Sequence, residues 1–323
     1  MDFVVAAMAA MVIGCSSGND EQRVVYEPAE VTLTFSPWVM EPEGNADAIG
    51  GQRTKQTRPD ADATGVVANS QAGETAGTWA TTLAEMSGAT TRAVASIAGV
   101  VSRLDVWIYE SGSEVTAIHQ VSTDDGFGTV TATLDRTKTY TIYAVGHNSD
   151  GAATLADGLV SFPSDIIRES MFYTAQLSPA SSSSLSCEMQ RIVGKLRIET
   201  TDNVPTGASY VTLAVATAAT KWSVAGVPGE ATGRTVRING MGSMVGQTVA
   251  LNCYLLSTTD AATEFDIVAT LYDASDGVLM HRTFEDVPIR NGYKTTYRGA
   301  FFTGAMSATF TVDDWSEYDV VEF

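Results

Sequence analysis

Apolar and polar residues alternate in a series of short runs that extends over most of the chain. A period of two is typical of β-strands with one buried face. The runs are 31–35, 104–109, 115–121, 129–134, 139–145, 191–199, 211–215, 249–255, 265–271, 279–284, 293–302 and 308–312. Because they follow one another at intervals of roughly 10–15 residues, with almost no helical period, the pattern predicts an all-β protein built from β-sandwiches.

Interruptions of this pattern divide the chain. Residues 36–92 are rich in Gly, Ala, Thr, Asp and Glu and have no sustained period, so they can bury little apolar surface. A looser region is expected over 152–179, and the serine run Ser181–Ser184 marks a seam. The resulting division is a segment at 1–15, a tether and flexible linker over 16–92 that contains one lone strand at 31–35, a first sandwich over 93–180, and a second sandwich over 186–323.

An apolar run ending in a cysteine opens the chain. Phe3–Ile13 is too short to cross a bilayer as a helix, and Gly14 and Cys15 follow it. A small residue before a cysteine in this position resembles a bacterial lipoprotein signal, which implies cleavage before Cys15 and acylation of its thiol with diacylglycerol and palmitate-type chains. Asp2 departs from the pattern, because a signal peptide normally opens with Lys or Arg. The alternative is a buried strand or helix with a chance cysteine.

Charge and composition restrict the class of partner. The 323 residues are 44% hydrophobic, which is enough for a substantial core, and the net charge is −19. A protein that neutralises phosphates needs clustered Lys and Arg, so the charge argues against nucleic acid as a partner. After residue 15, no apolar run is long enough for a transmembrane helix.

Few side chains are arranged for catalysis or metal binding. His119, His147 and His281 show no metal-ligand spacing, and no nucleophile elbow, phosphate loop or dinucleotide motif occurs. Asp124–Gly126 and Asp313–Asp314 offer carboxylates to calcium but too few ligands, so solvated turns are the better interpretation. We therefore predict no catalytic residue, no metal and no cofactor, and a protein that is not an enzyme.

The two remaining cysteines, Cys187 and Cys253, would meet an oxidising compartment in an exported protein. They form either one disulfide or two unpaired thiols. Alternation over 249–255 directs Cys253 toward a core, where a free cysteine behaves as a small hydrophobe. That position favours unpaired thiols.

Five landmarks, in order along the chain, resemble those of the fimbrillin family, the subunits of type V pili on certain Gram-negative bacteria. They are the lipoprotein-like signal followed by the strand Val31–Phe35, Thr91-Arg92-Ala93 ahead of 101–109, the strand and turn at 139–148, the Arg-containing stretch 188–198, and the segments 287–295 and 310–315. The resemblance spans most of the chain. It implies two tandem transthyretin-like, Greek-key β-sandwich domains, in agreement with the alternating pattern.

In that family, subunits assemble by β-strand exchange. A protease cuts after an arginine and removes the N-terminal strand, and a neighbour's C-terminal strand fills the vacated groove by β-augmentation. By position, the resemblance implies a cut at Arg92–Ala93, a plug strand that buries Val31, Leu33 and Phe35, and a donor-type strand that presents Ala308, Phe310 and Val312.

The linker departs from the family pattern. It is longer than expected, and Arg53, Lys55 and Arg58 offer competing cleavage sites. This departure favours an uncut anchor or accessory lipoprotein, although a stalk subunit stays open. Either role implies other pilus subunits as partners in a homo- or heteropolymer, a membrane reached through lipid on Cys15, a host or bacterial surface ligand, and a place in the fimbrium at the outer membrane or cell surface.

A surface glycan-binding lipoprotein is the alternative function. Lipid-tethered tandem sandwiches suit that role, and it requires exposed aromatic platforms. The candidates are Trp107, Tyr109, Tyr143, Trp222 and Tyr254. Ordinary cross-strand pairing is the competing interpretation of these side chains.

Overall fold

The computed structural model describes residues 26–38, 96–258, 261–303 and 309–314, the last of these as backbone only. Within these ranges the protein is all-β, as predicted, with nineteen strands and three short 3-10 helices. The helices are Ile97–Gly99, Pro163–Asp165 and Met241–Met244. No helix in the described ranges is both long enough and apolar enough to cross a membrane.

The strands are numbered in chain order. The first nine are β1 (Pro28–Pro37), β2 (Arg103–Glu110), β3 (Ser113–Val121), β4 (Thr129–Asp135), β5 (Tyr140–His147), β6 (Thr154–Ala156), β7 (Leu159–Ser161), β8 (Ser170–Leu177) and β9 (Ser184–Arg191). The next ten are β10 (Val193–Thr200), β11 (Tyr210–Val215), β12 (Lys221–Ser223), β13 (Val227–Pro228), β14 (Arg234–Asn239), β15 (Ala250–Leu256), β16 (Thr263–Tyr272), β17 (Val278–Ile289), β18 (Tyr293–Gly299) and β19 (Thr309–Asp314).

Seven strands form one sheet in the order β3-β2-β5-β8-β9-β1-β4. The apolar side chains of β1, β2, β4, β5, β8 and β9 meet in a single cluster, which we call the first core. Strand β9 changes its pairing partner along its length. Its residues 184–189 pair with β1, while only Gln190 and Arg191 pair with β8. The stretch 186–191, assigned to the second sandwich from the sequence, therefore pairs within the first sheet.

Two four-stranded sheets, β15-β10-β18-β19 and β14-β11-β16-β17, enclose a separate cluster, the second core. Strand β10, within the alternating run 191–199, is covered on both faces. Its residues Val193, Gly194, Lys195 and Leu196 are all buried. Leu196 faces the second core, whereas Val193 belongs to a third cluster, so both faces of the strand are covered.

The third cluster, the junction core, joins the two halves of the chain. Trp107, Val145 and Phe172 contribute to it from the first sheet, and Val193 and Trp222 from later in the chain. A small sheet, β13-β12-β7-β6, crosses the same boundary, since β7 pairs with β12. Strands β6, β7 and β8 lie in the region expected to be loose, so that expectation was wrong. The first residues of β8 are buried on both faces, which removes the alternation that would have marked the strand.

Candidate functional site

Strand β1 lies inside its sheet, with a hydrogen-bonded neighbour along each edge. It pairs antiparallel with β4 over 28–34 and parallel with β9 over 32–37. Further backbone bonds secure it: Thr32 N donates to Ser183 O at 2.9 Å, and Phe35 N donates to Gly128 O at 2.8 Å. The strand predicted at 31–35 is therefore present and extends over ten residues.

Alternate side chains of β1 complete the first core. Val31 and Leu33 are 0% exposed and Phe35 is 4% exposed. The Phe35 ring meets that of Tyr173 edge-on, with 6.2 Å between centroids. These are the three residues that the resemblance assigns to the plug strand.

The neighbouring strand β9 places the buried thiol of Cys187 beside Phe35. Phe35 and Cys187 are register partners in the β1–β9 pair, and Cys187 is 0% exposed. Burial raises the pKa of Cys187 to about 11, a rise partly offset by its hydrogen bond with Tyr173. Burial likewise raises the pKa of Tyr173 to about 12. Cys187 and Cys253 are both free and lie in different cores, so the disulfide alternative is wrong.

The 3-10 helix Ile97–Gly99 packs beside β1 against the first core. Ile97 is 2% exposed and belongs to the first core. Gly128, at φ +88°, lies so close that a Cβ there would come within 2.6 Å of Ile97 Cγ2. A side chain at position 128 would therefore be strained and would collide with this segment.

Strand β19 has a different place. Its only pairing partner in the described part of the chain is β18, to which it runs antiparallel at the end of its sheet, with Phe310 opposite Tyr297. The sequence around it, Ala308-Thr-Phe-Thr-Val312, repeats the order of Val31-Thr-Leu-Thr-Phe35, apolar residues separated by threonines.

Asp202 fixes the chain just before β19. Its carboxylate accepts hydrogen bonds from Phe301 N at 2.7 Å, Phe302 N at 2.7 Å and Thr303 N at 2.6 Å, and from the Thr303 hydroxyl at 3.0 Å. Burial by itself would raise the pKa of this carboxyl, but the donors outweigh it and the pKa lies below its usual value. Phe301 and Phe302 are themselves buried in the second core.

Several predicted positions lie outside the described residues. They are Cys15, Arg92, Ala93 and Ala308. For Phe310 and Val312 the backbone is described as part of β19. Their assigned roles stay predictions.

Sequence reasoning missed a buried polar cluster around Asp105. One carboxylate oxygen lies 2.7 Å from His119 Nδ1, and the other lies 2.8 Å from His147 Nε2 and accepts from Ala153 N at 2.7 Å. Ser149 N donates to His147 Nδ1 at 3.1 Å, so Nε2 carries the ring proton. The cluster links β2, β3 and β5. No group of three or more metal-ligating side chains occurs in the described ranges.

The aromatic candidates are mostly paired within the fold. Tyr109 and Tyr143 meet edge-on at 5.6 Å, and Trp107 is 3% exposed. Tyr254 lies beneath the Lys195 ammonium, 5.7 Å from the ring centroid. Trp222, also 3% exposed, lines a cavity.

Comparison with known proteins gives one family match and several structural relatives. The model of a family described as "Family of unknown function (DUF6562)" matches residues 164–320. No curated protein matches the sequence. The match covers most of the second half of the chain and names no activity.

The chain is similar in structure to fimbrial proteins. The fimbrial anchor protein Mfa2 from Porphyromonas gingivalis superposes with a TM-score of 0.43 at 11% identity, over 88% of this chain and 95% of that one. The tip fimbrial protein Mfa3 from the same organism gives 0.36 at 11% identity, over 68% and 96%. A "putative adhesin" from Bacteroides ovatus gives 0.45 at 13% identity, over 89% and 95%. At these identities and TM-scores, none of the likenesses assigns a function.

Proposed function

We propose that this protein is a structural and adhesive pilus subunit of the anchor or accessory type, which joins its partners by β-strand exchange. In this proposal the chain forms two tandem transthyretin-like sandwiches, Cys15 carries the lipid, and the protein is held at the outer cell surface without catalytic activity. The observation that carries this proposal is that β1 is hydrogen-bonded along both edges, although 58 residues, 39–96, separate its flank at Trp38 from the next helix, Ile97–Gly99.

The geometry of β1 supports a removable plug. Burial of Val31, Leu33 and Phe35 contributes roughly 5–9 kcal/mol to its docking, at about 1.5–3 kcal/mol for each fully buried side chain. Without β1, strands β4 and β9 would each present an open edge, and the first core would be uncovered. Open edges above an apolar groove bind an added strand through main-chain hydrogen bonds, with alternate side chains filling pockets.

The features of β19 support a donor strand. It is held along one edge, and its pattern of apolar residues separated by threonines matches that of β1. The matched alternation would direct apolar side chains into a neighbour's groove and threonines outward. The proposed strand would leave from Thr303, where the Asp202 contacts end.

A binding experiment with peptides tests the exchange. The lipidated full chain is treated with an arginine-specific protease, its products are followed by mass, and a labelled peptide of residues 306–316 is added. We expect the peptide to bind after the β1 fragment has left and to be displaced by a peptide of residues 26–38. A control peptide with Phe310→Asp and Val312→Asp removes the apolar side chains and should not bind.

The same experiment separates the two subunit types. A body starting near Ala93 together with a ladder of oligomers indicates a stalk subunit. A chain that keeps β1 but donates its C-terminal strand to a β1-depleted copy indicates an anchor or accessory subunit. If the β1 fragment never leaves and no complex forms, strand exchange is wrong for this protein.

A further inference from the structure

A cavity of about 320 Å³ lies where the two halves of the chain meet. It is bounded by β8, the end of β9, the β12–β13 hairpin and the turn between β17 and β18. Strands β8 and β9 pair only at Met171–Arg191 and Phe172–Gln190, and from there they separate toward their connecting loop. The cavity occupies the narrow end of this opening and is covered by the hairpin from the second half.

The floor of the cavity contains polar atoms without partners. Trp222 and Asn291 are 3% and 5% exposed. Neither Trp222 Nε1 nor Asn291 Oδ1 has a hydrogen-bond partner among the described residues. A buried polar group left unpaired is destabilising, so this donor and this acceptor in one lining favour a ligand that offers both functions.

Apolar surface and exposed polar groups complete the lining. Phe172 and Trp222 pack at 6.2 Å between ring centroids, tilted by 59°, and Ile192 lies beside them. Thr174, Glu188 and Gln190 are exposed and line the mouth. Arg191 also lines the cavity, and its guanidinium is paired with Glu169 at 2.6 Å. The site thus combines aromatic and aliphatic faces with hydroxyl, carboxylate and amide groups and one paired guanidinium.

We propose that this cavity binds a neutral saccharide of one or two rings. A sugar ring has an apolar C–H face that packs on aromatic rings, and each hydroxyl both donates and accepts a hydrogen bond. A purely apolar ligand would leave Trp222 Nε1 and Asn291 Oδ1 unpaired. The positive charge of Arg191 is offset by its ion pair with Glu169, and the Glu188 carboxylate at the mouth disfavours an anion. The volume lies at the small end of the roughly 300–1,000 Å³ usual for ligand sites.

The cavity borders β1, since Glu188 is the register partner of Ser36 and Tyr173 meets the Phe35 ring. Its test therefore uses the uncut chain, in which β1 stays paired, and does not depend on strand exchange. The full chain is screened on an array of neutral mono- to tetrasaccharides, and each hit is titrated as the free sugar by calorimetry. Trp222→Phe keeps a ring and removes the N–H donor, while Gln190→Ala and Glu188→Gln change exposed groups at the mouth. Each should weaken binding by about tenfold, the worth of one hydrogen bond.

Matched controls come from the same surfaces. Gln176→Ala changes an exposed glutamine of β8 outside the cavity lining, and Glu264→Gln changes an exposed carboxylate of β16. Both should bind as the unaltered chain does. Gln190→Ala keeps the test decisive if Trp222→Phe fails to fold, because Gln190 is exposed.

Two results would overturn the proposal. An array without hits means that the cavity does not bind a neutral saccharide. Hits that keep their affinity in Gln190→Ala and Glu188→Gln place the saccharide elsewhere. In either case the peptide experiment on β1 is unaffected, so the two proposals fail or stand separately.

Discussion

At the scale of single residues, Asp202 fixes residues 301–303, which precede β19 in the chain. Three consecutive backbone N–H groups, of Phe301, Phe302 and Thr303, donate to its carboxylate. Hydrogen bonds to an ionised acceptor are roughly twice as strong as those between neutral groups. This one side chain therefore fixes residues 301–303 to the chain just after β10.

Asp202→Asn is expected to lower the free energy of unfolding by about 1–2 kcal/mol at pH 7, because it removes the charge from these bonds. The pKa of Asp202 is depressed in the folded protein. Its stabilisation is therefore present above the unfolded pKa of about 3.9 and is lost as the pH falls through the lower folded pKa. Urea unfolding from pH 7 to pH 2 measures this, with Asp125→Asn at an exposed turn as control. A difference that stays constant down to pH 2 would contradict the role of the charge.

At the scale of elements, β1 and the first core depend on each other. A lone strand gains stability only by adding to a sheet and burying one face, and β1 does both between β4 and β9. Its departure would uncover Cys187 and leave Cys253 in the second core. The two thiols thus report on the two cores separately.

Leu33→Ala should loosen β1, since removal of a fully buried leucine costs about 2–5 kcal/mol. We expect maleimide labelling of Cys187, located by peptide mass, to speed up much more than labelling of Cys253. Leu213→Ala, equally buried but in the second core, is the matched control and should not show this preference for Cys187. If both variants accelerate both thiols equally, the cores open together and β1 does not leave by itself.

At the scale of the whole molecule, the junction core and the β7–β12 pairing couple the two halves. Contacts between halves of a chain usually allow relative motion unless they are extensive and apolar. Here Phe162, Phe172 and Trp222 are buried together at the boundary. The two halves should therefore unfold as one unit.

Calorimetry is expected to show a single transition for the unaltered chain. Phe162→Ala, which costs about 3–5 kcal/mol at the boundary, should lower the ratio of van't Hoff to calorimetric enthalpy or split the transition. Phe284→Ala removes an equally buried ring from the second core alone and should keep one transition. Two transitions in the unaltered chain would show that the junction does not couple the halves.

Individual strands show which parts of the fold can be predicted from the sequence and which cannot. Strands β1 and β4 were predicted within a few residues, because one face of each meets the first core and the other meets solvent or polar neighbours. Strands β2 and β5 were predicted as closely, although Trp107 and Val145 on their second face are buried in the junction core. Strand β8 was missed, because its first residues are covered on both faces and show no period of two. The disulfide question was open in the sequence, since spacing says nothing about which core receives each cysteine.

By itself, the sequence determined the all-β class, the lone strand at 31–35 and the alternation that matches it to 308–312, because side-chain period is a local property of extended backbone. Only the tertiary structure decided that β1 is hydrogen-bonded on both edges and that β9 pairs first with β1 and then with β8. It also decided that Asp105 contacts two histidines distant in the sequence. It alone placed Trp222 and Asn291 in one cavity. Such contacts depend on which strands pair, and pairing is set by the burial of the whole chain at once, so no local pattern contains it.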